Sequence, residues 1–555
     1  MSPVTAVTIC LLLYFIGYRF YARYLAQRVF RLDDGRVTPA HELSNGVDFV
    51  PSKRFVLFGH HFASITGLSP MLGPAIAVIW GWLPAMIWVV FGSLLIGCVH
   101  DFAALVLSIR SRGESIGKVA ESVIGPRAKG LFLVIIFFGV SLAMGVFTLI
   151  IAKLFSSNYG SAVIPSGGLM LVAGVIGFLF YKRNIPLLPL TIIGFLLQLL
   201  LVWLGSEYPV LWESSNGWMI LLLAYAFLAS VLPVWSLLQP RDFLNSLLLY
   251  LGLGLCYAGF FLSDPEFAAP AFDPSPEGAP SFFPFVFITI ACGAASGFHS
   301  LVSSGTTSKQ LDRETDAKLV GYGAMIGESL LGLLAILATT AGFAATSGHN
   351  AAAHWEEHYA SWDAAKGLSA KLSAFIEGAA SFLSTFGISA ELATSFIAVI
   401  VVSFALTTLD SATRLLRYNV EEIGASLRIR PLRNRFLSTG VAILAIGFFA
   451  FYRIDGKPAG LSLWAIFGTV NQLLAGLALL VATLYLLARR RNYLVTGVPM
   501  VFMLVTTIVA MILNIRSFMN SGQWPLLLLT VLLAALALWL IIEAWIVIVR
   551  RPRAE

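Results

Sequence analysis

The chain has 555 residues, of which 58% are hydrophobic and 12% charged, and its formal net charge is +7. Soluble domains carry about 25% charged residues, so this composition excludes an ordinary soluble fold. Apolar runs long enough to cross a bilayer recur along the whole chain, which predicts an all-α polytopic membrane protein. The Lys and Arg residues lie in short loops between these runs, where they indicate orientation and not nucleic-acid binding.

The apolar runs predict about fifteen spans. In chain order they cover approximately residues 4–18, 55–80, 83–109, 130–152, 167–182, 186–205, 217–238, 242–262, 282–303, 319–345, 372–406, 434–452, 461–488, 496–513 and 524–549. The eleventh is too long for one simple span, which is compatible with a half-helix or re-entrant piece at its start. The four cysteines fall inside these spans without a C-x-x-C pair and are interpreted as free buried thiols.

The charges of the loops predict the orientation. Loops 19–54, 110–129 and 407–435 are rich in Lys and Arg, whereas loops 206–216 and 263–281 hold acidic residues and no Lys or Arg. Basic loops remain on the cytoplasmic side of a membrane. The pattern therefore predicts that the N-terminus lies outside and the C-terminus inside.

Span two contains GHHFASITGLSPMLGP, residues 59–74, which is far too rich in Gly, Pro and small polar residues for a plain lipid-facing helix. The interruption comes about eleven residues into the span, roughly 17 Å at helical rise, and so near mid-membrane. Secondary transporters use such interruptions to bind anionic groups and cations. The substrate-binding residues predicted in this segment are Ser64, Thr66, Gly67, Ser69 and Gly73. The alternative is a proline kink packed by small residues.

An inverted-repeat transporter is expected to have a second interruption in its other half. Span seven reads SVLPVWSLLQPRDF, with Pro233 at depth, and fits that position in a five-plus-five inverted repeat. Trp235 and Phe298 would wall the substrate site. The predicted divisions are an accessory segment 1–54, a first half 55–206, a second half 217–406, a cytoplasmic amphipathic segment 407–430 and accessory spans 431–555.

The inner end of span nine is dense in hydroxyls. Those singled out for ion coupling are Ser303, Ser304, Thr306 and Thr307. They could face the unwound carbonyls of span two and form a cation-sized pocket. The alternative is that these hydroxyls bond the carbonyls of their own helix four residues back.

Ionisable residues inside spans are costly and usually functional. We predict that His60 or His61 forms a protonatable site with His299, because an imidazole titrates near neutral pH. Asp101 lies near the inner end of span three, and Glu328 is either a second protonatable carboxylate or a partner for a buried donor. The alternatives are histidines bonded to backbone carbonyls and a metal bound by His60, His61 and His299, with or without Asp101.

Three further features yield predictions. His354 and His358 in loop 346–371 share a helical face, but no further metal ligand is evident, so a solvated loop is favoured. Asp410 and Arg414 are spaced to pair along one helix. Asn471 and Gln472 lie within span thirteen, where hydrogen bonding between helices is expected.

Several of these motifs resemble those of the carbon starvation protein A (CstA) family over about residues 1–490. They are GHHFASITG, VHDF, SVLPVWSLLQPRDF, FPFVFITIACGAASGFHSLVSSGTTSKQL, GYGAM followed by Glu, TTLDSATRL and FGTVNQLLA. The resemblance implies a carrier for peptides, or in some members pyruvate, that serves the cell when carbon is scarce, with a LeuT-like five-plus-five core. VHDF departs from the family at His100, where Gln is common, so the resemblance assigns His100 no role.

Together these observations predict a secondary active transporter in the bacterial inner membrane. It would import a small carboxylate-bearing nutrient, a short peptide or pyruvate, coupled to a proton or sodium gradient in response to carbon starvation. No enzymatic activity, cofactor or nucleic-acid partner is expected. The alternative is a membrane metalloprotein or redox enzyme that uses His60, His61, His100 and His299.

Overall fold

The computed structural model describes residues 1–343, 350–362, 368–451, 453–454, 457–458 and 464–550. In these residues the chain is almost entirely helical, apart from a two-residue antiparallel pairing of Arg453–Ile454 with Lys457–Pro458. The helices in chain order are α1 (Pro3–Val29), α2 (Arg54–Ile65), α3 (Ser69–Trp80), α4 (Trp82–Arg110), α5 (Ile116–Val123), α6 (Pro126–Ser157), α7 (Gly160–Arg183), α8 (Leu187–Glu207), α9 (Ser215–Val231), α10 (Leu238–Ser263), α11 (Phe282–Thr289), α12 (Gly297–Gly305), α13 (Glu314–Thr340), α14 (Ala351–Tyr359), α15 (Leu368–Ser384), α16 (Ala390–Ser426), α17 (Arg435–Phe451), α18 (Trp464–Ala488), α19 (Leu494–Asn520) and α20 (Trp524–Arg550). A further short helix, Pro39–Glu42, lies in the loop after α1.

Within the described ranges, 11 helices are long and apolar enough to cross a membrane, or up to 12 with the bent pair α2 and α3 counted as one span. The apolar helices α9 and α17 are shorter. Predicted span nine is divided into α11 and α12, and predicted span eleven into α15 and α16. The chain is a polytopic helical membrane protein, while fifteen spans and the orientation of the termini stay predictions.

The interruption predicted in span two is present. Helices α2 and α3 are bent by 50° where the chain passes through residues 66–68. Pro70 lies in the first turn of α3, where its missing N–H breaks no helical hydrogen bond. Gly73 packs directly on α11, since a Cβ there would lie 2.5 Å from the carbonyl oxygen of Thr289. The two segments therefore meet backbone to backbone.

The second interruption was predicted at Pro233, and this was wrong. Helix α9 ends at Val231, and Pro233 lies in the turn before α10, because the residue before a proline is pushed into an extended conformation that ends the helix. The second break is instead at residues 290–296, between α11 and α12. Gly293 adopts a φ of 91° there, which a residue with a Cβ rarely adopts.

Each of the two broken helices packs on the helix that follows the other break. Helix α13, which follows the second break, packs on α3, and α4, which follows the first break, packs on α12. The division of the chain into halves 55–206 and 217–406 stays a prediction.

The segment 407–430 was predicted to be a separate amphipathic segment on the cytoplasmic side. It does not form a separate surface helix. Its first twenty residues continue α16, a single helix of 37 residues. Thr407, Asp410 and Arg414 are buried on it, because each faces another helix and not solvent. Its polar side chains bond other helices, as Asp410 does with the Tyr225 hydroxyl and Arg414 with the carbonyl of Ala229.

Replacing Gly73 by Ala is expected to push α3 away from α11 and to lower the thermal stability of the protein, because the added Cβ meets a backbone oxygen that cannot rotate away. Overpacking of this kind costs about 1–3 kcal/mol. Thermal unfolding in detergent measures the effect. Gly174→Ala is the matched control, since a Cβ at Gly174 has no atom within 4 Å. Equal unfolding temperatures for the two variants would contradict the close contact.

Candidate functional site

A small closed cavity lies beside the first break. Its volume is about 30 Å³, room for a water molecule but not for an organic solute. Gly67, Ser69 and Phe298, three of the predicted substrate-binding residues, line it together with Cys292 and Asn471. Residues of α6, α16 and α18 complete its wall: Gly139, Val140, Ala143, Met144, Phe147, Thr408, Phe467, Val470 and Leu474. Both breaks thus contribute to one enclosed space.

Helix α16 supplies hydroxyls to the first break. Ser64 Oγ lies 3.1 Å from Ser411 Oγ. The hydroxyls of Thr66 and Thr408 are buried with no hydrogen-bond partner among the described residues. Two such hydroxyls next to an unwound segment are suited to receive a polar group from a bound solute or ion. The hydroxyls predicted for this role at the inner end of span nine do not line the cavity.

Two of the four hydroxyls of that inner end bond their own helix. Ser304 Oγ donates to the carbonyl of Ser300 at 2.6 Å, and Thr306 Oγ1 to that of Val302 at 3.1 Å. Ser303 Oγ has no partner among the described residues, and Thr307 Oγ1 lies 2.8 Å from His61 Nδ1. Local bonding, the alternative weighed above, therefore accounts for two of the four hydroxyls.

Asn471 and Gln472 of α18 supply partners to the second break, as predicted. Asn471 Oδ1 accepts from the backbone N–H of Phe298 at 3.0 Å and from Ser296 Oγ at 3.1 Å. Gln472 Nε2 donates to the carbonyl of Phe287 at 2.8 Å. Helix α18 thus supplies hydrogen bonds on both sides of the unwound segment, where backbone hydrogen bonds of a continuous helix are lost.

Three predicted coupling residues meet in one buried cluster. His299 Nδ1 of α12 lies 2.9 Å from Asp101 Oδ2 of α4, and His299 Nε2 lies 3.2 Å from Glu328 Oε2 of α13. Asp101 Oδ1 lies 2.8 Å from His100 Nδ1. All four side chains are fully buried. His299 Nε2 and both oxygens of Glu328 have no hydrogen-bond partner among the described residues, and an imidazole between two carboxylates can bind or release a proton.

His60 belongs to a different network. Its Nδ1 lies 2.8 Å from Asp242 Oδ2, and Asp242 Oδ1 lies 2.5 Å from Arg241. Arg241 also pairs with Asp410 and with the hydroxyl of Tyr225, which donates to Asp410 at 2.6 Å. The predicted Asp410–Arg414 pair is wrong, because Asp410 pairs with the buried guanidinium of Arg241 on α10. In the sequence, the segment 239–242, with its Gln, Arg and Asp, is the feature that could have indicated this network.

The predicted histidine pair is therefore not formed by direct contact. His60 bonds Asp242, His61 bonds Thr307, and His299 bonds Asp101. Within the part of the chain that the structure describes, these three histidines do not converge as ligands of one metal position. The structure does not favour the metalloprotein alternative at this site.

Two predicted wall residues lie away from the cavity. Trp235 Nε1 donates to the carbonyl of Gly46 at 3.0 Å, and Lys182 Nζ lies 4.9 Å from the tryptophan ring. Trp235 is only partly buried, and Pro233 shares its turn. Neither residue lines the small cavity, and their role as substrate-site residues stays a prediction.

A larger cavity of about 410 Å³ opens beside the basic loop 110–129. We call it the vestibule. Its charged lining residues are Arg112, Glu114, Lys118, Lys129, Lys309 and Glu422. Leu301 of α12 lines both the vestibule and the small closed cavity. A single layer of side chains, which includes Leu301, therefore lies between the two spaces.

Aromatic rings and buried charges surround the mouth of the vestibule. Lys309 Nζ lies 3.9 Å from the ring of Tyr418, and burial lowers the pKa of Lys309. Asp48 lies 3.1 Å from Arg414 and accepts from the Tyr418 hydroxyl at 2.5 Å. Burial acts to raise the pKa of Asp48, but Arg414 and Arg417 hold it below its usual range. Asp48 therefore ties the loop before α2 to α16.

Replacing Asp48 by Asn is expected to lower thermal stability at pH 6, and to lower it progressively less as the pH falls below about 3.9. The depressed pKa of folded Asp48 means that its charge stabilises the protein above its unfolded pKa, about 3.9. That contribution is lost as the pH falls through the folded pKa. Unfolding temperatures of wild type and variant, measured across this range, test the prediction, with Asp264→Asn as control. A difference in unfolding temperature between wild type and variant that does not shrink at low pH would contradict the prediction.

Comparisons with known proteins agree with the motifs. Residues 2–510 match the family model described as carbon starvation protein CstA. The peptide transporter CstA of Helicobacter pylori is 34% identical over 578 residues, covering 92% of this chain and 82% of that protein. The pyruvate/proton symporter BtsT of Escherichia coli is 32% identical over 599 residues, covering 94% of this chain and 83% of that protein.

Among solved structures, the chain is similar to the Eremococcus coleocola manganese transporter in complex with an aromatic bis-isothiourea substituted compound. The identity is 13% and the TM-score 0.49, over 91% of this chain and 98% of that chain. This likeness is too weak to bear on the site. The sequence relatives are named as transporters and not as enzymes. From its motifs, its broken helices and the family match, the chain is a multi-pass protein of the bacterial inner membrane and belongs to the carbon starvation protein CstA family.

Proposed function

We propose that the protein is a proton-coupled secondary transporter that imports a small carboxylate-bearing nutrient, a short peptide or pyruvate, when carbon is scarce. One observation carries the proposal. Two helices break around a shared closed cavity, and the second of them presents His299 to two buried carboxylates. Among the sequence relatives, one is named as a peptide transporter and one as a pyruvate/proton symporter.

The cavity suits an anionic group. Helix α3 begins at Ser69 and α12 at Gly297, and residues of both first turns line the cavity. A helix N-terminus is the positive end of the helix dipole, so these two termini would attract a carboxylate. The buried hydroxyls of Thr66 and Thr408 would bond the remaining polar groups of the solute.

The coupling proton would bind at the cluster of Asp101, His299 and Glu328. This cluster joins α4, α12 and α13, the helices that continue or follow the two breaks. Each proton that it gains makes a buried site one charge less negative, which changes the electrostatic free energy of the site in a low dielectric. Protonation can in this way favour one arrangement of the broken helices over another.

The closed cavity and the open vestibule indicate the release path. Pockets that hold small ligands measure about 300–1,000 Å³, so the closed cavity must expand before it holds a solute. The vestibule already has that size and lies on the basic, predicted cytoplasmic side. Displacement of Leu301 with α12 would connect the two spaces, and Lys309 would attract the departing carboxylate.

Uptake into proteoliposomes tests the proposal. Labelled pyruvate and a labelled dipeptide are offered under an imposed proton gradient, an imposed sodium gradient or neither. We expect the proton gradient to drive accumulation of at least one solute, and a protonophore to abolish it. Accumulation driven by sodium alone would overturn the proton assignment, and no gradient-driven accumulation of either solute would overturn the proposed function.

A further inference from the structure

Two histidines and a glutamate meet far from the proposed transport site. His354 and His358 are one turn apart on α14, and Glu377 lies on α15. One ligand atom from each residue lies within 4.8 Å of the others. The sequence showed only the two histidines, because Glu377 is brought to them by the packing of a later helix.

Neighbouring groups orient the two imidazoles. The ring of Phe343 stacks on His358 at 5.3 Å and meets His354 edge-on at 4.9 Å. The two imidazole rings are 5.0 Å apart and nearly perpendicular. Glu357 approaches His354 Nδ1 to 3.8 Å, too long for a hydrogen bond. Both histidines are partly buried and Glu377 is exposed, so an ion can reach the site from solvent.

We propose that His354, His358 and Glu377 bind a divalent transition-metal ion, with Zn²⁺ as the ion that fits them best. Histidines four residues apart on a helix direct two imidazoles to one position, and a carboxylate completes a set of nitrogen and oxygen ligands typical of zinc. Zinc–ligand distances are about 2.0–2.2 Å, so small side-chain rotations would close the site. Water would complete the coordination.

The ion would join α14 to α15. Helix α14 already contacts the C-terminal end of α3, where the Tyr359 hydroxyl donates to the carbonyl of Ala75 at 2.6 Å. Trp362 packs on Trp80 at 5.3 Å between ring centroids. A metal bridge from α14 to α15 would hold α14 against the C-terminal end of α3. Metal binding would also stabilise the folded state by mass action. The binding does not depend on the proposed transport function.

Zinc titration of the purified full chain, after chelator treatment and dialysis, tests the site. Calorimetry is expected to show one saturable Zn²⁺ site and a zinc-dependent rise in unfolding temperature. Glu377→Gln and His358→Ala are each expected to weaken zinc binding by at least about tenfold. His41→Ala is the matched control, since His41 pairs with Asp312 at a distant loop.

Two outcomes would overturn the site. One is the absence of saturable zinc binding by the wild-type chain. The other is unchanged affinity in the Glu377→Gln variant, which would place any bound ion elsewhere. Because Glu377 is exposed, that variant is expected to fold even if His358→Ala does not.

Discussion

The Glu328→Gln variant is expected to lose proton-driven accumulation of substrate while it retains exchange of substrate across the membrane. Gln keeps the shape of the side chain but cannot gain or lose a proton, so the cluster with His299 loses a titrating member. Without a coupled proton the gradient no longer drives uptake, so accumulation should fall to the level reached when no gradient is imposed. Gradient-driven uptake and substrate counterflow, measured in the same proteoliposomes, separate the two effects.

Controls make this result specific to the cluster. Glu266→Gln removes a carboxylate from loop 263–281 and is expected to leave both activities unchanged. Asp101→Asn, on the other side of His299, should reproduce the loss of coupling. If Glu328→Gln accumulates substrate as well as wild type, the cluster does not carry the proton.

The Arg241→Leu variant is expected to be the least stable of those considered. Its guanidinium is the buried cation between Asp242 and Asp410, and all three side chains are at most 2% exposed. Removing one partner of a buried ion pair leaves uncompensated charge, at a cost of about 3–5 kcal/mol. A large fall in unfolding temperature, measured in detergent for the purified protein, is the expected observation.

A second substitution tests the cause. Combining Arg241→Leu with Asp410→Asn removes one of the stranded charges and should recover part of the lost stability. Arg183→Leu, at the end of α7, is the matched control and is expected to change stability little. If the double variant is no more stable than Arg241→Leu, the loss comes from packing and not from the buried charges.

The first break was predictable and the second was not, for a physical reason. Span two concentrates glycine, proline and hydroxyl residues within a few positions, a pattern that a continuous helix rarely tolerates. Residues 290–296 contain no proline, and their single glycine and three alanines are equally typical of close helix packing. Pro233 is a stronger local signal but marks a helix end. A single sequence does not distinguish these uses of small residues.

The buried ionisable residues were predictable, but most of their partners were not. His60, Asp101, His299 and Glu328 all stand out because charge is costly inside a span. Their partners come from other helices, as when His60 meets Asp242, 182 positions away. Helical spacing predicts neighbours on one helix only, and for Asp410 it indicated Arg414 in place of Arg241.

The joint between the two broken helices has a mechanical consequence. Gly73 abuts the carbonyl of Thr289, and Gly97 abuts that of Ala294, so main chain rests on main chain with no side chain to deform. Such a joint is stiff, because close-packed atoms yield little. We expect α3, α4, α11 and α12, which share this joint, to move together as one rigid unit. The hinges of the proposed transport cycle would then lie where this unit contacts α6 and α16.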